Sequence, residues 1–204
     1  MTLDEIRAAV RLKTGLPVSD TLVTDLNLLT MANEANHIFE LEADWPWLEA
    51  QETIALAVND SVKAPAADYV RSVSLRINTF DDELERWDIA KLDQLINVSG
   101  RPRYWAPFAG QLEFRPKADI VYSLRHRYLK TEPELLLGTD NPLSPKRWHY
   151  ILVEMVSALV WRRVQEPDKA GQALAAYQAG VKLAKARSNL ASADQGGGVG
   201  GDKA

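Results

Sequence analysis

Apolar residues recur at helical spacing towards both ends of the chain and alternate with polar ones in its middle. Thr2 and Glu5 form a capping box ahead of Leu3, Ile6 and Val10, which predicts a short amphipathic helix that Gly15 and Pro17 stop. A second helix is expected to start at Ser19 or Asp20 and run to about residue 43. Leu22, Leu26 and Leu29 would form its buried stripe, Ala35, Ile38 and Phe39 would continue it, and the acidic residues would face outwards. Asn33 and Asn36 fall inside this helix, where Asn has poor propensity, so both are expected to hydrogen-bond to neighbouring backbone.

Beyond Trp45-Pro46-Trp47 the period drops to two. Ile54, Leu56 and Val58 alternate with small or polar residues, Asn59-Asp60-Ser61 offers turn chemistry, and Val73, Leu75 and Ile77 alternate again, so two strands with one apolar face each are expected. From Trp87 through Ile89, Leu92 and Ile96 the spacing is helical, with Gly100 at the expected helix end just ahead of Pro102. Leu112 and Phe114 alternate before Pro116. Ile120, Tyr122, Leu124, His126 and Tyr128 then alternate against Val121, Ser123, Arg125 and Arg127, the clearest strand pattern in the chain. Short connections imply antiparallel pairing.

Helical spacing resumes with Trp148, Ile151, Leu152, Met155 and Leu159, until Pro167 ends that helix. A last helix is expected from Asp168 to about Leu190, carrying Leu174, Tyr177 and Val181. Its stripe of Ala173, Ala176, Gly180 and Ala184 permits close helix packing. The predicted fold class is α+β: a helical body of N-terminal (1–48) and C-terminal (146–190) helices, with an inserted antiparallel β region containing a short helix (49–145). Residues 191–204 form a Gly-rich tail expected to be flexible in the free protein.

Composition narrows the chemistry. No apolar run reaches the roughly 20 residues that span a bilayer, and the N-terminal residues lack a signal-peptide layout, so a soluble chain kept in a cytoplasm is expected. The sequence has no Cys, which excludes disulfides, thiol catalysis and Cys-ligated metals, and only 3 His. The net charge of −4 is unevenly spread: residues 1–60 hold 3 basic and 11 acidic side chains, residues 61–145 hold 12 of each, and residues 146–190 hold 8 basic and 3 acidic. An acidic body and a basic helix pair can neutralise one another within a chain or between copies arranged head to tail, and closed head-to-tail contacts make rings.

Candidate chemistry is sparse. Glu34-x-x-His37 is half of a di-iron helix motif without its second half, and a surface or capping His is the expected reading. No Ser sits in a nucleophile elbow, and no Gly-rich run leads into Lys-Ser or Lys-Thr. Asp81-Asp82 and Glu83-x-Glu85 read as a solvated connection rather than an acid/base pair. Catalytic, cofactor and metal residues are therefore assigned to none. Arg125 and Arg127 share a strand face, and Arg101 and Arg103 flank Pro102 ahead of Tyr104-Trp105. These four could grip nucleic acid, but the acidic total argues against it, and Arg125 and Arg127 are expected to pair with acidic residues across the sheet or across a subunit boundary.

One resemblance runs through the chain up to Leu190. It rests on the Asn33-x-x-Asn36 helix leading to Trp45-Pro46-Trp47, and on Gly100-Arg-Pro-Arg-Tyr104, Gly110-Gln-Leu-Glu-Phe114-Arg-Pro116 and Asp119-Ile-Val-Tyr122 ending in Tyr128. Glu134-Leu135-Leu136, the Pro142-Leu-Ser-Pro145 loop and the closing helices complete it. In this order these motifs resemble the head-to-tail adaptor (connector, or neck) proteins of tailed bacteriophages. The resemblance implies a virion structural protein, not an enzyme: a homo-oligomeric ring, usually dodecameric, beneath the portal vertex of the capsid. Such a ring has the portal protein above it and a tail, nozzle or tail-completion protein below. It extends the channel through which double-stranded DNA passes without specific binding. The implied location is the virion neck, after assembly in the host bacterial cytoplasm, with no membrane partner and no cofactor.

By position, the portal-contacting part would be residues 187–204, with Arg187, Leu190 and Val199 as candidates. The tail departs from expectation in offering Val199 as its one large apolar residue after Leu190. Arg125, Arg127, Arg162, Arg163, Ala176 and Gly180 are the inter-subunit candidates. The competing reading is a DNA-binding or packaging-accessory protein using Arg101, Arg103, Arg125 and Arg127. A small hydrolase of unrecognised type is a distant third.

Overall fold

The structure, a computed structural model, describes the backbone of residues 1–196 and the side chains of residues 1–188. Its helices are α1 (Leu3–Thr14), α2 (Asp25–Glu40), α3 (Ile89–Leu92), α4 (His149–Arg163) and α5 (Pro167–Gly196). Its strands are β1 (Glu49–Leu56), β2 (Val62–Lys63), β3 (Tyr69–Ile77), β4 (Asp82–Glu83), β5 (Glu85–Arg86), β6 (Ser99–Gly100), β7 (Tyr104–Phe108), β8 (Gln111–Arg115), β9 (Lys117–Ala118) and β10 (Tyr122–Lys130). The fold is mixed α+β, with helices towards both ends and a largely antiparallel β region in the middle. Two compact units result: residues 1–47 with the chain from Glu132 onward, and Leu48–Thr131.

In the helical unit, the Thr2 and Glu5 capping box starts α1, and Gly15 closes it at φ 71, a left-handed conformation that only a residue without Cβ adopts freely. Leu3, Ile6 and Val10 are buried. The second helix starts later than its leucine spacing suggests. Thr24 caps α2 through a reciprocal box with Asn27, while Asp20 Oδ1 accepts the N–H groups of Leu22 and Val23 at 2.8 Å and holds them in a turn. Leu22 and Leu26 are consequently exposed, and the buried face is Leu28, Met31, Ala32, Ala35, Asn36 and Phe39. Helix α4 is buried nearly all round, from Ile151 to Val160, because α1, α2 and α5 all pack on it. The α4–α5 connection turns at Gln165 (φ 61), and α5 folds back along α4.

Two four-stranded sheets dominate the second unit, with strand orders β1-β10-β3-β4 and β2-β8-β7-β5. Every pairing is antiparallel except the two-residue parallel pairs β5–β7 and β6–β9. Ile54, Leu56, Leu75, Ile77, Trp105, Leu112, Phe114 and Leu124 share one core. Strand β10 buries Tyr122, Leu124, His126 and Tyr128 as its alternation predicts. On β3 the alternation breaks: Tyr128 faces Ser72 while Arg127 faces Ser74, so Val73 is extruded as a β-bulge and lies exposed, and Ser72 turns inwards. The helix expected from Trp87 to Ile96 shrinks to the single turn of α3, capped by Asp88, with Ile96 exposed. Gly100 lies in β6, not at a helix end.

Candidate interaction surfaces

The solvent face of the β1-β10-β3 sheet carries three arginines on adjacent rungs. Thr53, Arg125 and Arg76 lie on one rung, and Gln51, Arg127 and Ser74 on the next. At its edge, the turn leading into β4 places Asp81 in the left-handed region (φ 50). Asp81 Oδ1 lies 2.6 Å from Arg125 Nη2 and its Oδ2 lies 3.5 Å from Arg76 Nη1, while Glu83 takes Arg76 Nη2 at 2.7 Å. Arg101 pairs with Asp82, and its guanidinium stands 4.2 Å over the Phe80 ring. Three carboxylates thus neutralise Arg76, Arg101 and Arg125. Such exposed pairs add only about 0–1 kcal/mol each; their effect here is to cancel a basic patch. Arg103 and Arg127 remain exposed.

Beneath that face lies a polar chain. The His126 Nδ1 is 2.7 Å from Glu52 Oε1, its Nε2 is 2.8 Å from Ser72 Oγ, and Ser72 also contacts the Tyr69 hydroxyl at 3.2 Å. The order of contacts is that of a Ser-His-carboxylate triad, but the nucleophile position is closed: Ser72 is 5% exposed and already bonded on two sides. Burial pushes the His126 imidazole below its usual value, against the opposing pull of Glu52. Burial, with a bond to Asp68 at 2.9 Å, pushes the Tyr128 phenol up to about 12. These groups are satisfied structural members of the sheet.

In the helical unit Arg162 and Arg163 are both exposed, and Arg163 Nε donates to the Leu22 carbonyl at 2.6 Å, so that arginine is engaged within its own chain. The small-residue stripe of α5 splits. Ala173, Gly180 and Ala184 face inwards, and a Cβ on Gly180 would come within 2.9 Å of Ile151 Cγ1, so the close approach is to α4 of the same chain. Ala176 faces solvent. The Arg187 guanidinium lies 5.9 Å from the Trp148 ring centroid, which the Arg147 guanidinium approaches to 5.3 Å. Leu190 falls on the α5 backbone, and Val199 lies outside the described residues, as does most of the tail. His37 is exposed, with its Nδ1 3.4 Å from Glu40 Oε2.

The loop after β10 is pinned by side chains. Asn33 bonds both polar groups of the Leu135 backbone, at 3.0 and 2.8 Å. Asp140 Oδ2 accepts the N–H groups of Leu136 and Leu137 at 2.8 Å each, which holds its carboxyl below the usual range. Glu132 accepts the Leu143 N–H, while burial pushes its carboxyl up. The loop carbonyls of Gly138 and Asp140 take the free N–H groups of Asp4 and Leu3 at the start of α1. Leu136 and Leu137 are left pointing outwards, 68% and 64% exposed. Sequence reading did not single out this exposure, because periodicity separates helix faces but says nothing of a loop whose shape is set by Asn33 and Asp140.

Among the described residues no helix is long and apolar enough to cross a membrane. The family model described as SU10 adaptor protein matches residues 1–198. No curated protein matches the chain.

Proposed function

The chain belongs to the SU10 adaptor protein family, an adaptor family of phage, and on that premise we propose that it is a virion structural protein that forms a ring beneath the portal and joins the capsid to the tail. The observation that carries this reading is the match over residues 1–198, nearly the full length of the chain. In the proposed ring, the portal protein lies on one side, a tail, nozzle or tail-completion protein on the other, and double-stranded DNA passes through the middle.

The electrostatics support a conduit over a grip. A polyanion held by a protein needs net basic surface, since affinity comes from neutralising phosphates. Here Arg101 and Arg125, two of the four DNA-binding candidates, are matched by Asp82 and Asp81. DNA sliding past such a surface meets little that would hold it. Arg162, Ala176 and Arg127 are exposed and remain the candidates for contact between copies, and Arg187 with Leu190 and Val199 for contact with the portal.

A phage lacking the gene tests the joining role. DNA-filled heads and separate, complete tails that join when the purified chain is added are the expected result. Normal virions, or heads that never fill, would overturn it.

A further inference from the structure

Helix α1 carries an apolar surface at each end. At its N-terminal end the pinned loop displays Leu136 and Leu137, tied to α1 by Asp4 N–H to Gly138 O at 3.0 Å and Leu3 N–H to Asp140 O at 2.9 Å. At its C-terminal end Leu12, Val18, Leu22 and Leu26 are 87%, 73%, 59% and 69% exposed. Arg11 ties the segment that carries Val18, Leu22 and Leu26 to the end of α1, donating to Pro17 O at 2.7 Å, to Val23 O at 3.2 Å and to Asp25 at 2.7 Å. The two surfaces are a helix length apart, about 18 Å at 1.5 Å per residue.

Both surfaces are built to lose water. An apolar side chain on a loop normally brings unsatisfied amides with it, and desolvating those opposes contact. Here Asp140 takes the amides of Leu136 and Leu137, and Asp20 takes those of Leu22 and Val23. Arg163 and Arg11 take the carbonyls of Leu22, Pro17 and Val23. Their charges also match end to end. Glu134 is exposed beside the leucine loop and Arg162 is exposed at the end of α4, whereas Asp4, Arg11 and Lys13 are already paired within the chain with Arg7, Asp25 and Glu154.

We propose that these two surfaces are the two halves of a contact between copies of this chain: the Leu136-Leu137 loop of one copy seats on the Leu12, Val18, Leu22 and Leu26 surface of the next. The halves are different and lie at opposite ends of one helix, so the contact is heterologous and each copy keeps one free half, which is how a ring is propagated. This contact rests on the ring reading above and names the surfaces that make it.

Sedimentation velocity of the full-length protein tests it, with a thermal melt to check folding of each exposed-site variant. Wild type is expected to sediment as an oligomer. Leu136→Ser with Leu137→Ser, and separately Leu22→Ser with Leu26→Ser, should each associate at least tenfold more weakly and sediment as monomers. An equimolar mixture of the two variants should form a complex of two chains and nothing larger, since only one intact loop and one intact surface can meet. Should either serine pair perturb the melt, Glu134→Lys and Arg162→Glu replace it, each alone weakening association and the two in one chain restoring it. An assembling wild type whose variants assemble equally well, or a mixture that stays monomeric, overturns the contact while leaving the ring. A wild type that is monomeric at every concentration overturns the ring reading and the contact with it.

Discussion

Asn33 holds Leu135 by both groups of its amide, Nδ2 donating to the Leu135 carbonyl at 3.0 Å and Oδ1 accepting the Leu135 N–H at 2.8 Å. A residue that weakens the interior of α2 thereby fixes a loop 102 positions away. Asn33→Ala should destabilise the protein by about 1–3 kcal/mol, because the buried Leu135 backbone loses both partners. Urea unfolding gives the loss, and hydrogen exchange should show it concentrated at Leu135–Leu137. An unchanged midpoint would mean that water replaces the amide at no cost.

Gly180 and Gly171 lie on the same helix and should respond oppositely to alanine. A Cβ at 180 meets Ile151 Cγ1 at 2.9 Å, while one at 171 meets nothing within 4 Å. Gly180→Ala should cost about 1–3 kcal/mol through overpacking, and Gly171→Ala should gain up to about 1 kcal/mol from helix propensity. Thermal melts of the pair decide it, and equal shifts would contradict the packing.

The buried His126 sets a pH dependence. Its folded-state pKa is depressed below the unfolded value of about 6.5, so the unfolded chain binds the extra proton. Its share of stability is complete above that pH and is lost as pH falls through it. His149, also lowered by burial, acts in the same sense, and Glu132, raised by burial, acts oppositely as pH rises above its unfolded value of 4.5. The wild-type minus His126→Gln difference isolates the group: below pH 6.5 it should change with a slope of up to about 1.4 kcal/mol per pH unit. Parallel stability profiles would show that His126 titrates alike in both states.

Cancelled arginines can be uncovered. Asp81→Asn with Asp82→Asn removes the carboxylates that face Arg101 and Arg125 and leaves Glu83 on Arg76. Duplex DNA titrations at low salt should show little binding by wild type and clear, salt-sensitive binding by the variant, with the slope of log affinity on log salt steeper by about 1–2. Tight wild-type binding that the variant leaves unchanged would favour a DNA-binding protein.

Local chemistry was legible in the sequence, and chemistry set by a distant partner was not. The Thr2 capping box and the β10 alternation follow from neighbours, and that Asn33 bonds backbone follows from its own preferences, but not that the backbone is that of distant Leu135. The start of α2 departs from its leucine spacing because two caps compete: Asp20 satisfies a turn, leaving Thr24 and Asn27 to begin the helix and turning Leu22 and Leu26 to solvent. The bulge at Val73 depends on how β10 pairs with β3, which no alternation within β3 reveals. The inward face of Gly180 and the outward face of Ala176 likewise depend on where α4 lies. The exposed leucine loop is set by Asn33, 102 positions away, together with a local turn at Asp140 that no periodicity reveals.

Cryo-electron microscopy of intact virions, reconstructed locally at the tailed vertex of the capsid, tests the central claim most directly. The predicted result is a closed ring of copies of this chain between portal and tail, coaxial with the DNA channel, with the Leu136-Leu137 loop of each copy against its neighbour. A vertex at which portal and tail meet with no copy of this chain between them would contradict it.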